Sequence, residues 1–396
     1  MKSNIKITAS IIMLAVVIFS LSYVAFASDD IKILINGEEL ASSHKALFIE
    51  GKAFVPMREV FEGLGAEVSW DEKKRTARCV YKDSVISITP DDSKMIKNGS
   101  ELTLEQGPVI IDGTIMVSLR AVADSLGCGV IWRGKDRIAS ISDKPLTKIH
   151  FLDCGQADSI FAQFPDGECM LVDAGEKNFG KTLADFIKNE GYNHIDHVVA
   201  THPHSDHIGG MEYIINNFSI GKFYTSDVIN DTKTFEGMIN SLNKKGCKVE
   251  LLYQGDEIPV SSCDVKVLSP EKRRYLRMNN YSVVLRLLYN KVSTMLCADA
   301  EAEAEYEIID NEKSINSDVM KIGHHGSFTS TSVAFLNAVE PKDAVISVGE
   351  GNDYGYPSTM IINRLKNKGI KIHRTDKKGN ITMATDGYIY IIVGEK

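Results

Sequence analysis

The segment His202-Pro-His204-Ser-Asp206-His207-Ile-Gly209-Gly210 constrains this chain more than any other. Three of the ten histidines fall within six residues there, together with a carboxylate. The apolar run Val198-Val-Ala-Thr201 precedes them, as a buried strand would, and a helical pattern follows. Four such side chains converge only if the backbone turns tightly at the strand end, which a glycine pair permits. Neutral imidazole and carboxylate are good ligands for zinc-like divalent ions. A polar loop with incidental histidines would not concentrate them this way, so the motif predicts a metal site.

Composition narrows the rest. A length of 396 residues suggests two or three domains. The net charge of -8, from 45 Lys and Arg against 53 Asp and Glu, argues against nucleic-acid binding driven by bulk charge. The one apolar stretch long enough to span a bilayer lies at residues 11–24, which excludes a multi-span membrane protein. Lys2 and Lys6 precede it, and Ala25-Phe26-Ala27 places small residues where a signal peptidase reads them. Residues 1–27 are therefore expected to be a signal peptide, cleaved before Ser28, and the mature chain to be secreted or extracytoplasmic. An uncleaved anchor is the alternative, because residues 7–28 carry no charge. The seven cysteines form no C-x-x-C pair, and most sit in apolar runs. They read as buried free thiols, with one bridge left open.

Residues 28–143 hold an internal repeat. Ile49-Glu-Gly-Lys-Ala-Phe-Val-Pro-Met-Arg58 matches Ile111-Asp-Gly-Thr-Ile-Met-Val-Ser-Leu-Arg120 at an offset of 62. The same offset relates Leu64-Gly65 to Leu126-Gly127, Val68 to Val130 and Trp70 to Trp132. Each copy reads as a strand, a turn, an amphipathic helix capped by glycine and a strand bearing the Trp. Each copy is small and is expected to bury its apolar face against the other. The pattern resembles the stalk domain named after the copper amine oxidase N-terminus. The name implies no copper here, since the segment has one histidine, His44, and no ligand cluster. A small duplicated α+β stalk is expected, acting as a spacer or as a cell-wall or surface attachment.

From residue 147 to 396 short β-rich runs alternate with helical patterns. Helices are predicted over 180–189, 211–217, 233–244, 301–309, 331–339 and 358–367, and two helix-covered sheets are the natural arrangement. Further motifs flank the histidine cluster. Phe151-Leu-Asp153-Cys-Gly155-Gln156-Ala-Asp158 and Leu171-Val-Asp173-Ala-Gly175 precede it. Asn279-Asn280-Tyr-Ser282, Cys297-Ala-Asp299-Ala-Glu301 and Lys321-Ile-Gly323-His324-His325-Gly326-Ser327 follow it. With H-x-H-x-D-H this set resembles the metallo-β-lactamase superfamily. It is similar in particular to the hydrolase domain of competence DNA-uptake (ComEC-type) proteins and their secreted relatives. The resemblance implies an α/β fold, a four-layer αββα sandwich.

The resemblance also implies roles. His202 and His204 would hold one metal ion, and Asp206, His207 and His325 a second. Asp299 would bridge the two. His325 is preferred to His324 as the ligand because it directly precedes Gly326, and His324 would then face the substrate, binding a phosphoryl oxygen or protonating the leaving group. Asp173 would brace the ligand loop from behind, while Asp153, Gln156 and Asp158 read as loop-fixing residues. Two departures stand out. Asn279-Asn280-Tyr281 occupies the region where many members supply a further histidine, so the first ion would be loosely held and manganese would serve as readily as zinc. Tyr356 precedes Pro357 where the ComEC-type branch has histidine, and a phenol is a poor proton shuttle at neutral pH.

A dinuclear site of this kind implies hydrolysis, with Asp206 and His324 as the catalytic residues and Asp206 orienting the attacking hydroxide. Asn280, Ser282 and His324 would bind oxygens of the substrate. A phosphodiester is favoured, of nucleic acid or of an envelope component, and Lys272-Arg273-Arg274 with Arg277 would meet its phosphates or form a solvated loop. Hydrolysis of a lactam, lactone or thioester on the same fold, or a non-catalytic surface-binding module, are the alternatives.

Overall fold

The computed structural model describes residues 30–396. The signal peptide expected over residues 1–27 lies outside them. Among the described residues no helix is long and apolar enough to cross a membrane.

The repeat folds as a pair. In each copy a hairpin, Leu47–Ile49 with Lys52–Pro56 or Val109–Ile111 with Thr114–Ser118, leads directly into a helix, Met57–Gly63 or Leu119–Leu126. The two hairpins join antiparallel into one four-stranded sheet. Val117 pairs with Val55, its own counterpart in the repeat, so the copies are related by a pseudo-two-fold axis at that pair. Both helices pack into a single core with Val55, Phe61, Val117 and Val122. Gly65 and Gly127, at φ 88° and 70°, provide the left-handed turns that end them. The Trp-bearing strands Glu67–Asp71 and Gly129–Arg133 follow, and the first continues into a five-stranded antiparallel sheet.

The remainder is an αββα sandwich. One sheet has eight strands, with Cys169–Ala174, His194–Ala200 and Ser219–Thr225 running parallel side by side. The other has seven, with Val292–Leu296, Val319–Lys321 and Asp343–Ile346 parallel near one edge. Their facing sides form one apolar layer that includes Phe151, Val199, Leu285 and Val345. Helices Gly180–Asn189, Met211–Asn217 and Lys233–Lys245 cover the first sheet. Helices Ala302–Asn311, Val333–Val339 and Thr359–Asn367 cover the second. Leu34 and Ile131 of the repeat pack on Ile389, and Ser140 donates a hydrogen bond to Asp386, joining the two parts. All seven cysteines are free thiols.

Candidate metal centre

The predicted ligands come from three chain segments that meet beyond the carboxyl ends of the parallel strands, where α/β sheets place their sites. Strand His194–Ala200 runs into Thr201 and His202, and a short helix, Ser205–Ile208, carries Asp206 and His207. Gly209 and Gly210 then let the loop press against the neighbouring backbone. A Cβ on Gly210 would lie 2.3 Å from the Ala174 carbonyl oxygen, and one on Gly209 would lie 2.4 Å from the Lys177 nitrogen. Asp299 follows strand Val292–Leu296. His324 and His325 follow strand Val319–Lys321 with φ of 50° and 53°, and Gly326 with 84°. This run of left-handed residues is costly for the two histidines, and it turns both imidazoles toward the cluster.

Two ligand groups result, and they share Asp299. His202, His204 and Asp299 form one; Asp206, His207, Asp299 and His325 form the other. Within each group the ligand atoms lie within 4.8 Å of one another. His202 Nε2 is 3.0 Å from His204 Nδ1 and 4.0 Å from Asp299 Oδ2. His207 Nε2 is 3.3 Å from Asp299 Oδ1, and His325 Nε2 is 3.2 Å from Asp206 Oδ2. His207 Nε2 and Asp299 Oδ1 are buried without a hydrogen-bond partner. Buried polar atoms normally have one, so these atoms and the donor set fit a pair of divalent ions. Burial, and then the neighbouring His207, push His202 well below the usual imidazole range, which favours the neutral ring. Burial raises Asp299, but His207 and His325 outweigh it and hold the carboxyl well below its ordinary range.

A layer of partners holds the ligands in place, as metal sites require. Asp173 accepts hydrogen bonds from His207 Nδ1 at 2.6 Å, Thr201 Oγ1 at 2.7 Å and the Thr201 amide at 2.9 Å. His325 Nδ1 donates to the Ser347 carbonyl at 3.0 Å. Behind it Asp158 pairs with Lys321 at 2.7 Å, both fully buried. This pair was not singled out from the sequence. Its signal was a lysine inside the otherwise apolar strand run Val319-Met-Lys321-Ile322. Gln156 accepts a hydrogen bond from the Gly349 amide, and the Asp153 amide donates to Asn380.

The open side of the cluster is a cavity of ≈ 630 Å³ that Asp206, His324, Tyr354 and Tyr356 help to line. His324 Nε2 lies 3.6 Å from Asp299 Oδ2, and the Tyr356 ring meets the His324 ring edge-on at 5.6 Å.

Three expectations are corrected. Asn280 does not face the cavity: its amide donates to Glu303 at 2.7 Å and accepts from the Glu301 nitrogen at 3.1 Å, so it braces the start of a helix. Asn279 is the residue that reaches His324, at 3.4 Å. Ser282 is fully buried behind His202, 3.4 Å from its Nδ1, and holds the Asp299 amide rather than a substrate oxygen. Two of the four basic residues are drawn away from the cavity, Arg273 pairing with Glu303 and Glu307 of the helix beside it and Arg277 with Glu301 at the start of that helix. Those arginines are committed to the protein itself.

The copper amine oxidase N-terminal domain family matches residues 34–141, and the metallo-beta-lactamase superfamily matches residues 152–350. The chain is 28% identical over 251 residues to ComE operon protein 3 of Bacillus subtilis, covering 59% of this chain and 32% of that protein. It is 29% identical over 230 residues to Competence protein ComA of Neisseria gonorrhoeae, covering 57% and 30%. The chain thus spans about a third of the length of these relatives. The metallo-beta-lactamase fold protein YhfI from Bacillus subtilis superposes with a TM-score of 0.44 at 12% identity, covering 61% of this chain and 100% of that one.

Proposed function

The chain belongs to the metallo-beta-lactamase superfamily of metal-dependent hydrolases, and we propose that this member cleaves phosphodiesters outside the cytoplasm. The observation that carries the reading is the pair of ligand groups sharing Asp299, with His324 beside them in an open cavity. Two divalent ions, zinc or manganese, would supply Lewis acidity and offset the negative charge of a phosphoryl group. His202, His204 and Asp299 would hold one, and Asp206, His207, Asp299 and His325 the other. Asp206 keeps one carboxylate oxygen on His325 and is part-exposed to the cavity, which suits it to orient an attacking water. His324 is held by Thr329 at 3.2 Å and by Tyr356, leaving Nε2 to bond a phosphoryl oxygen or to pass a proton to the leaving group. Tyr354 stacks on Tyr356 at 5.7 Å and is 71% exposed, which extends the cavity wall outward from His324 and suits a substrate longer than a single small ring. We read the first module as the attachment to the envelope.

The test is hydrolysis of bis-p-nitrophenyl phosphate, single-stranded DNA, nitrocefin and a lactone by the purified chain loaded with zinc or manganese. The first two should be cleaved, and His204→Ala and Asp206→Ala should lose that activity. Equal activity in the variants overturns the site, and cleavage of nitrocefin alone overturns the substrate class.

A further inference from the structure

The two halves of the repeat are not equivalent where their tryptophans lie. The pseudo-two-fold axis at Val55 and Val117 brings each Trp against the hairpin of the other copy. On one side Phe48 stacks on Trp132, with centroids 5.7 Å apart and planes at 24°. The residue in the place of Phe48 on the other side is Ile110, at the same offset of 62. There the smaller side chain leaves the Trp70 face beside a cavity of ≈ 470 Å³. The polar groups differ as well. Glu59, His44 and Glu72 line the open side, and their counterparts on the closed side are Ala121, Gln106 and Gly134. Glu59 is held rigidly: Ser42, Ser43 and His44 all donate to its carboxylate. Burial works against its charge, but those hydrogen bonds outweigh it and hold the group down at about 2. The carboxylate is therefore a fixed acceptor across the physiological range.

We propose that this cavity binds a saccharide chain, with a sugar ring on Trp70 and its hydroxyl donors on Glu59 and its neighbours. A pyranose has an apolar C–H face and a rim of hydroxyls, and an aromatic floor with a few fixed polar groups at the edge complements both. The closed copy is the internal control, because the same scaffold there stacks a phenyl ring on the tryptophan and has alanine, Ala121, in the place of Glu59. The assignment gives the attachment module a ligand class and does not depend on the hydrolase reading.

The chain has two tryptophans, Trp70 and Trp132, so fluorescence reports on this region alone. In a Trp132→Phe background the β-1,4-linked tetramer of N-acetylglucosamine should change Trp70 emission saturably, with a Kd on the order of 1 mM or tighter. Ile110→Phe, which copies the closed side, should weaken binding at least tenfold by calorimetry while thermal stability and hydrolysis of bis-p-nitrophenyl phosphate stay unchanged. Glu59→Ala should weaken it severalfold. Absence of a saturable response, equal binding by Ile110→Phe, or a response to choline and not to the tetramer overturns the assignment.

Discussion

Lys321 Nζ stands 2.7 Å from Asp158 Oδ2 with both side chains fully buried, and Asp158 Oδ1 stands 3.5 Å from His325 Nδ1. A buried ion pair thus backs a candidate ligand histidine of the metal centre. Removing one member leaves an uncompensated buried charge, which costs about 3–5 kcal/mol. Lys321→Met should therefore lower stability by that amount in urea unfolding. Lys321→Met with Asp158→Leu should recover much of the stability, and its metal affinity should stay low because His325 has lost its carboxylate neighbour. Full recovery of both would mean that the pair has no bearing on the site.

Asp173 acts on His207 alone among the ligands, through the 2.6 Å hydrogen bond to Nδ1. It also ties the Thr201 amide and hydroxyl that precede His202. Losing such a bond typically costs about 10–100-fold in metal affinity. Asp173→Asn should show that loss by competition with a chelator, with the fold retained by circular dichroism. Unchanged affinity would place the control of His207 elsewhere.

Gly210 touches backbone that cannot give way. A methyl group there would meet the Ala174 carbonyl oxygen at 2.3 Å and the Gly180 Cα at 3.1 Å. Gly210→Ala should cost about 1–3 kcal/mol through overpacking and displace the loop that carries Asp206 and His207. Thermal unfolding and metal content should both fall. A variant with normal metal content would show that the loop tolerates the shift.

Asp343 links strands of both sheets, accepting from His373 at 2.6 Å and from Tyr390 at 2.8 Å. Burial raises its pKa, but the hydrogen bonds from His373 and Tyr390 outweigh that and hold the carboxyl below its ordinary range. A depressed carboxyl contributes stability that is full above its unfolded pKa, about 3.9, and disappears as pH falls through the lower folded value. The stability gap between wild type and Asp343→Asn should therefore be constant from pH 7 to about 5 and narrow below about 4. A gap that widens on acidification would reverse the assigned sign.

Much of this molecule was legible in its residues. The four side chains from His202 to His207 lie in one short segment, and only a turn is needed to bring them together. Helices Gly180–Asn189 and Met211–Asn217 fall where the apolar period puts them. The duplication shows as an ungapped offset. These features depend on neighbours along the chain, so local spacing encodes them.

Other features are set by contacts between distant segments. Strand Ile381–Thr385 lies inside the eight-stranded sheet, paired to Thr147–Phe151 from the far end of the domain's sequence. The choice between Asn279 and Asn280 turns on a short helical turn, Met278–Tyr281, that points one amide at His324 and the other at Glu303. Whether the arginines at 273 and 277 meet solvent, substrate or glutamate depends on a helix some thirty residues later in the chain. The contrast between the two tryptophans follows from the pseudo-symmetric pairing of the hairpins, which sets Phe48 against Trp132 and Ile110 against Trp70. Residue type and period specify which groups are available, whereas the direction a side chain faces, and the charge that meets it, arise only when separate segments pack.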